Sequence, residues 1–533
     1  MKVPPTPLAN SFAEAALAEV PKLLMLQDRN PHSPTYGCFD RNYWQYRRTD
    51  FPTGMAQEFV YPLALAYRLE AESNAYRGDP ALKDWIEAGI RFAALSSHRD
   101  GACDDFFPFE RASGAAAFSL LGCMQAYDLL DLDDPELESF FATRGRWLAA
   151  HQESGQLSNH EALIVYCLYL LWTRFGVDDL ESAYRARLER LLSWQDEEGW
   201  FQEYEGCDLG YQTLTIGLLA QLYEASGEES LRQPLERAIS MTASFMHPDG
   251  SLGGEVSSRN TYNYFPHGFE LAGKWFPAAL ALNDRFGQAL QSGRAPCYSD
   301  DHMVAHHLWS YLLAAANCLT ERDGDTEASP SQIHFPGAGL LAVRDGDQDL
   351  FVALNKGGVF KLFRDGDLVF SDTQLSFKLA DGRTAVCHMI DEYDIDIGDG
   401  VLTVSGRAGF AKQKVMRPVD NLLLRGFMFV FGRFFPTLVR KLLQRLLITD
   451  KRPAPFEFSR RLEWGGENFT VQDEVKSDRW ADVVSAGISG HQTSISVVQS
   501  RPYHESQHQA WFDVTDQVKQ LDAGEPFKIE RSY

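Results

Sequence analysis

The sequence predicts an α+β multidomain chain: an N-terminal α/α toroid of helical-hairpin repeats over 1–325, then a C-terminal antiparallel β-sandwich over 326–533. Three observations predict it. From about residue 55 to 320 apolar residues recur at intervals of three and four, as in VYPLALAYRLEAESNAY. Within that region a glycine-bearing polar loop followed by an apolar helix occurs four times. After about residue 322 short alternating runs broken by turn dipeptides take over.

The four loop-helix units are HRDGACDDFFPFERASGAAAFSLLGCMQAY, QESGQLSNHEALIVYCLYLLW, QDEEGWFQEYEGCDLGYQTLTIGLLAQLY and HPDGSLGGEVSSRNTYNYFPHGFELAGKWF. Their glycines, Gly101, Gly155, Gly199 and Gly250, stand 54, 44 and 51 residues apart. A period near fifty fits one long helical hairpin per repeat, and stacked hairpins bury a continuous core. In a closed ring, equivalent loops fall on one rim, so polar residues from distant segments converge on one mouth. The inner helix of each pair should be the more apolar one, the helix after the glycine loop.

ERDGDTEASPSQ reads as a linker. GLLAVRDG, DLFVALNKGG, VFKLFRDGD and LVFSD then read as strands, with NKGG and RDGD as hairpin turns. About 200 residues is a size one β domain can have. One stretch interrupts the pattern, RGFMFVFGRFFPTLVRKLLQRLLITDKR at 425–452. Arg433, Arg440, Lys441 and Arg445 divide its apolar run, so it should not span a bilayer. It reads either as a basic amphipathic insertion meeting an anionic membrane or a partner, or as a helix on the sandwich with snorkelling basic side chains.

Composition narrows the function classes. Of 533 residues, 44% are hydrophobic and 23% charged, which is ordinary globular usage, and the net charge is −24. Nucleic acid is excluded as an expected partner, because phosphate neutralisation needs clustered Lys and Arg. Residues 1–325 hold 25 basic against 46 acidic residues, and 326–533 hold 25 against 28. Residues 401–450 alone hold nine basic against two acidic. Eight cysteines show no zinc-site spacing and read as reduced, buried thiols. No metal or cofactor is expected. The N-terminal MKVPPTPLANSFAEAALAEV shows no secretory pattern, so the expectation is a cytoplasmic protein able to touch the inner face of the membrane.

The candidate chemistry sits at the rim. Asn159 and His160 open one apolar helix, and Tyr211 opens the next, at the same point of the repeat. Asn, His and Tyr together suit proton abstraction beside a carboxylate. An amide stabilises the enolate-like form. A His or Tyr takes the C5 proton of a uronate sugar, and a Tyr protonates the leaving oxygen. The bland alternatives are a helix N-cap with a packed imidazole, and a buried phenol.

SNHEAL followed by DLGYQTLTIGLLAQLY resembles the heparinase II/III and alginate-lyase group of polysaccharide lyases. The resemblance implies an α/α toroid joined to a β-sandwich, and β-elimination of an anionic polysaccharide or lipid-linked glycan. It implies that Asn159 neutralises the carboxylate, His160 assists proton abstraction and Tyr211 serves as general acid or acid/base. Two departures stand out. Ser371 and Asp372 occupy the place where the group carries a second histidine, with His388 nearby but out of position. Lyases of this group are also generally exported. Both leave room for a uronyl C5-epimerase or an intracellular glycan-assembly role.

Substrate contacts are expected from Arg41, Tyr43, Trp44 and Arg47 in FDRNYWQYRR, from Arg259, Asn260, Tyr262 and His267 in the fourth loop, and from Asp105, Tyr204 and Gln212. Aromatics beside arginines suit sugar stacking and carboxylate pairing. Three patterns compete. DLDD at 131–134, before Pro135, looks like a terpene-cyclase motif but reads as a helix cap. Asp104, Asp105 and Asp208 are carboxylates a glycoside hydrolase could use. His302 and His306, with Asp301, have metal-ligand spacing but lack a third ligand. A non-catalytic, membrane-peripheral glycan-assembly protein is the remaining alternative.

Overall fold

The computed structural model describes residues 1–153, 155–204, 206–296, 302–322, 331–390, 392–411, 417–432, 434–435, 452–466, 468–490, 508 and 511–533. The N-terminal part is a closed ring of helices. Its members are α1 (Pro7–Leu17), α2 (Val60–Arg68), α3 (Pro80–Leu95), α4 (Ser113–Leu129), α5 (Pro135–Ala150) and α6 (Ser158–Thr173). They continue with α7 (Glu181–Leu192), α8 (Leu209–Ser226), α9 (Arg232–Ser244), α10 (His267–Ala272), α11 (Ala278–Gln291) and α12 (Val304–Asn317). The even-numbered helices form an inner ring in the order α2, α4, α6, α8, α10, α12, which closes back on α2. The odd-numbered ones form the outer layer, with α1 packed on α12 and α11.

The repeat read from the sequence has a local cause. Gly101, Gly155, Gly199 and Gly250 all take positive φ, from +82° to +101°. In three of the four loops the same tight turn recurs: His98 N–H bonds Ala102 O, Asp196 N–H bonds Trp200 O, and His247 N–H bonds Ser251 O, at 2.8–3.0 Å. The left-handed glycine lets the chain reverse there and enter the next inner helix. The helices α4, α6 and α8 bury most of their side chains on all sides, as inner-ring helices must. The ring has two hairpins more than the glycine loops announce. The loops before α2 and α12 lack the turn sequence, so periodicity alone missed them.

The second part is two antiparallel sheets. The first has strand order β1 (Ser331–Phe335), β2 (Leu340–Asp345), β3 (Gln348–Ala353), β4 (Val359–Arg364), β5 (Asp367–Asp372). The second contains β6 (Leu375–Leu379), β7 (Thr384–Val386), β8 (Tyr393–Gly398), β9 (Val401–Phe410), β10 (Pro453–Glu463), β11 (Thr470–Lys476), β12 (Val483–Ile488), β13 (Phe512–Asp513) and β14 (Phe527–Ser532). Its order is β13-β12-β6-β7-β9-β10-β11-β14, with β8 also pairing β9.

The central strands of the first sheet, β2 to β4, are buried on both faces. Leu341, Val343, Leu350, Phe360 and Leu362 pack against Leu402, Leu462 and Val471 of the second sheet. Leu340, Ala342, Phe351, Val359 and Phe363 join the core of the helical ring. Double-sided burial explains why GLLAV and VFKLF read as nearly continuous apolar runs. The one charge in VFKLF, Lys361, points at the ring. It pairs with Glu255 at 2.6 Å, both almost fully buried, and Tyr262 donates its hydroxyl to the same carboxylate. Lys356 donates to the carbonyls of Glu255 and Ser257. His247 lies between Phe351 and Phe363. The sheet is thus locked onto the rim loop that precedes α10.

In the insertion, the helix α13 (Pro418–Phe427) runs into a π-helical turn, Met428–Gly432. Arg433, Arg440, Lys441 and Arg445, the basic residues singled out in the sequence, lie outside the described residues. Among the described residues, no helix is long and apolar enough to cross a membrane. Seven of the cysteines are described, all buried and unpaired.

Replacing Lys361 by Met strands the Glu255 carboxylate in the interface, and urea unfolding should show a loss of about 3–5 kcal/mol. Adding Glu255→Gln should recover part of that loss, because no uncompensated charge then remains.

Candidate active site

Every inner helix begins at the same rim, so the loops before them surround one mouth. Two backbone features bring the Asn159 and Tyr211 loops together. Residues 156–158 lie antiparallel to 202–204: Leu157 bridges Glu203, Tyr204 N–H bonds Gln156 O at 3.0 Å, and Ser158 N–H bonds Gln202 O at 3.3 Å. Tyr204 takes φ +58°, which turns the chain back so that Glu203 N–H reaches Gly206 O. Asn159 Nδ2 then donates to Glu203 Oε2 at 2.8 Å, and the Ser158 hydroxyl to the same oxygen at 3.4 Å.

The second feature is one carboxylate. Asp208 caps α8 by accepting from Tyr211 N–H at 2.9 Å. It also accepts from Arg259 N–H at 3.0 Å and from the Thr261 hydroxyl. Asp208 therefore ties the start of α8 to the loop before α10. Gly210 permits the approach, since a Cβ there would lie 2.3 Å from Thr261 Oγ1. The outcome places Arg259 beside Tyr211.

The Arg259 guanidinium lies 4.1 Å from the Tyr204 ring centroid and 5.8 Å from that of Tyr211, with Nη1 3.8 Å from Glu203 Oε1. Next to it Asn260 takes φ +62° and is fully buried, with no hydrogen-bond partner for either side-chain amide atom among the described residues. A strained residue with an unpartnered amide is costly unless the site uses it. His160 pairs through Nδ1 with Glu153 Oε2 at 2.6 Å. Its ring packs over Gly114, where a Cβ would fall 2.5 Å from Cε1. When the imidazole is neutral, donation of Nδ1–H to Glu153 leaves its lone pair on Nε2. The His160 and Arg259 side chains retain 24% and 20% exposure, while Asn159, Glu203 and Tyr211 form a nearly buried floor.

Electrostatics follow from burial. Desolvation pushes the Glu203 carboxyl up to about 7, against the pull of Arg259, His160 and the Asn159 amide. Burial likewise raises the Tyr211 phenol, while Arg259 favours its ionised form. Glu203 and Glu153 were not singled out from the sequence. Both stand in rim loops ahead of apolar helices, but nothing in the residue string tells a buried carboxylate from a solvated one.

The structure brings Asn159, His160, Tyr204, Tyr211, Arg259 and Asn260 into one cluster and leaves the other expected contacts outside it. Gln212 faces inward, accepting from Phe201 N–H and donating to Ala238 O and Thr242 Oγ1, so it holds the rim loop rather than substrate. His267 is sealed in the ring against Ser310 and Gly217, and burial lowers it to about 3. Tyr262 is buried at the sheet interface. Arg41, Tyr43, Trp44 and Arg47 lie on the loop before α2, opposite α8 across the ring. There Trp44 Nε1 donates to Leu26 O, and Arg41 packs over Tyr46. Asp105 is on that wall too, accepting from Thr53 and from His302 Nε2 at 2.6 Å.

The competing patterns resolve physically. Asp104 accepts from Phe109 and Arg111 N–H and pairs with His98, so both it and Asp208 hold loops instead of facing a bond to be cut. Asp134 caps α5. His302 and His306 have separate partners, Asp105 and Glu58, and no metal-binding group occurs among the described residues. Asp301 lies outside them. Asp372 is enclosed by Arg460 and Arg531, which hold it down to about 2 despite burial. His388 is buried with Nδ1 on Thr373 O.

No family profile and no characterised protein matches the sequence. Solved structures do share the fold. A Paenibacillus xanthan lyase superposes with a TM-score of 0.52 at 11% identity, covering 90% of this chain and 46% of that one. A chondroitin AC lyase of Streptomyces coelicolor A3, solved as a tyrosine-to-alanine mutant, gives a TM-score of 0.52 at 10% identity, covering 90% of this chain and 67% of that one. The chain thus spans about half the length of the first. The chain shares its fold with these two lyases, and the likeness does not single out the heparinase II/III or alginate-lyase group.

Because the folded-state value of Glu203 lies above its ordinary 4.5, its contribution to stability is full below that pH and is lost as pH rises through about 7. Glu203→Gln should remove this slope, on the order of 3 kcal/mol, when denaturation at pH 5 and pH 8 is compared with the wild type.

Proposed function

We propose that the mouth binds an anionic glycan, a uronate-containing polysaccharide or lipid-linked oligosaccharide, and cleaves it by β-elimination. The observation that carries this is the single cluster of Arg259, Asn260, Tyr211 and the His160–Glu153 pair. It sets a cation beside two groups able to move protons, over a buried amide. The ring is strongly acidic, yet the N-termini of its inner helices point at this mouth, where their dipoles favour an anion. The lyase fold supports the same reading.

In this proposal Arg259 holds the substrate carboxylate at the mouth, with the buried Asn260 beneath it, since the Asn159 amide is engaged by Glu203. Asn159 instead fixes Glu203 beneath them. The His160 Nε2 lone pair takes the C5 proton, with Glu153 stabilising the imidazolium. The C5–H electron pair forms the C4–C5 double bond as the C4–O bond breaks, and the Tyr211 hydroxyl protonates the leaving oxygen. Tyr204, stacked under Arg259, offers its exposed edge to a neighbouring sugar. The carboxylates of Asp104 and Asp208 are committed to backbone N–H groups, which disfavours them as a pair for glycoside hydrolysis.

Incubation with a panel of uronate polymers should generate ultraviolet-absorbing unsaturated ends. Tyr211→Phe should lower kcat by roughly 10²–10⁴-fold. Arg259→Ala should also raise KM. Deuterium uptake at C5 without unsaturated ends would move the reading to epimerisation, and new reducing ends without unsaturation would replace it with hydrolysis.

A further inference from the structure

We propose that α13 and the π-helical turn after it form a docking face for an anionic lipid bilayer, set beside the mouth. The motivating feature is an inverted helix. Val419, Leu422, Leu423 and Val430 share one face at helical spacing and are 53%, 71%, 69% and 54% exposed. Asp420, Leu424, Phe427 and Met428, on the opposite face, are the more covered ones. Phe429, Phe431, Phe434 and Phe435 extend the apolar surface. Eight of the eighteen large hydrophobic side chains exposed among the described residues thus fall within 419–435. A soluble surface helix turns its apolar stripe inward, and an exposed concentration of this kind marks an interaction site.

The chemistry of the face selects its occupant. Among the described residues its exposed apolar side chains are aliphatics and phenylalanines, without the tyrosines and tryptophans enriched at protein interfaces. Its sequence surroundings carry nine basic against two acidic residues in 401–450, in a chain whose net charge is −24. An anionic membrane would repel most of this protein and attract that stretch. Apolar residues at the headgroup boundary with basic residues alongside are the requirements of an interfacial helix.

The face is also placed to matter. Arg425 pairs with Asp50, and Phe429 meets Phe109 edge-on at a centroid distance of 5.9 Å. Asp50 and Phe109 belong to the rim loops before α2 and α4, so docking would carry the mouth to the lipid surface. A glycan borne on a lipid would be presented there. That last step rests on the function proposed above, whereas membrane docking does not.

Flotation with phosphatidylcholine vesicles containing about one third phosphatidylserine tests the inference on the full chain. The wild type should float with these vesicles, less so at high salt, and remain at the bottom with pure phosphatidylcholine. Leu422→Asp with Leu423→Asp should weaken binding at least about tenfold at unchanged melting temperature. Leu95→Asp, at a residue 75% exposed on α3, should leave it intact. A wild type that does not float, or a double variant that floats equally well, overturns the proposal. So does a concentration-dependent dimer that the double variant dissolves in the absence of vesicle binding, since the face then belongs to a second copy. Vesicle binding without any turnover of glycans would leave docking standing and remove the lyase reading instead.

Discussion

The arrangement at the mouth depends on the Asp208 carboxylate. It accepts hydrogen bonds from the first turn of α8, from the Arg259 backbone and from the Thr261 hydroxyl, and is almost completely buried. Buried carboxylates are tolerated when several donors converge on them. Through this group two loops about fifty residues apart become one rigid unit, and the left-handed backbone of Asn260 is held where it would not settle on its own. The positions of Tyr211 and Arg259 are consequences of that junction. The short antiparallel pairing of 156–158 with 202–204 does the same for Asn159 and Glu203.

A second constraint lies between the two parts of the chain. The central strands of the first sheet have no solvent face, so they must satisfy the ring on one side and the second sheet on the other. Polar groups that enter this layer come with partners: Lys361 with Glu255 and Tyr262, Lys356 with two carbonyls, Glu198 with the N–H groups of Gly337 and Ala338. These contacts fall on the loops that carry Arg259 and Tyr211. The sheet therefore acts as a buttress for one wall of the mouth, while α13 touches the other.

Much of the fold was legible because glycine and hydrophobic period report backbone geometry directly. The four left-handed glycines are the turns the repeat requires, and all-round apolar helices such as ALIVYCLYLLW can only sit inside. The hairpins flanking the chain's helical part were not legible, since their loops use other turn chemistry. At the candidate site, Asn159, His160 and Tyr211 were singled out by their place in the repeat, and Arg259 as a supporting residue of the fourth loop. Glu203 and Glu153 were not, because a carboxylate's role is set by desolvation and by neighbours from other loops. Gln212, Tyr262 and His267 misled for the converse reason: polar types beside a motif can equally serve the interior.

Ring closure has a consequence for synthesis. The outer partner of α12 is α1, so α1 must find a helix that leaves the ribosome nearly three hundred residues after it. At 5–20 residues per second that is a delay of about 15–60 s. Throughout it Phe12, Ala13 and Ala16, which end up inside the core, have no finished surface to cover them. The nascent chain therefore has a long window in which α1 is available to a chaperone or to a neighbouring copy, and the completion of α12 ends it.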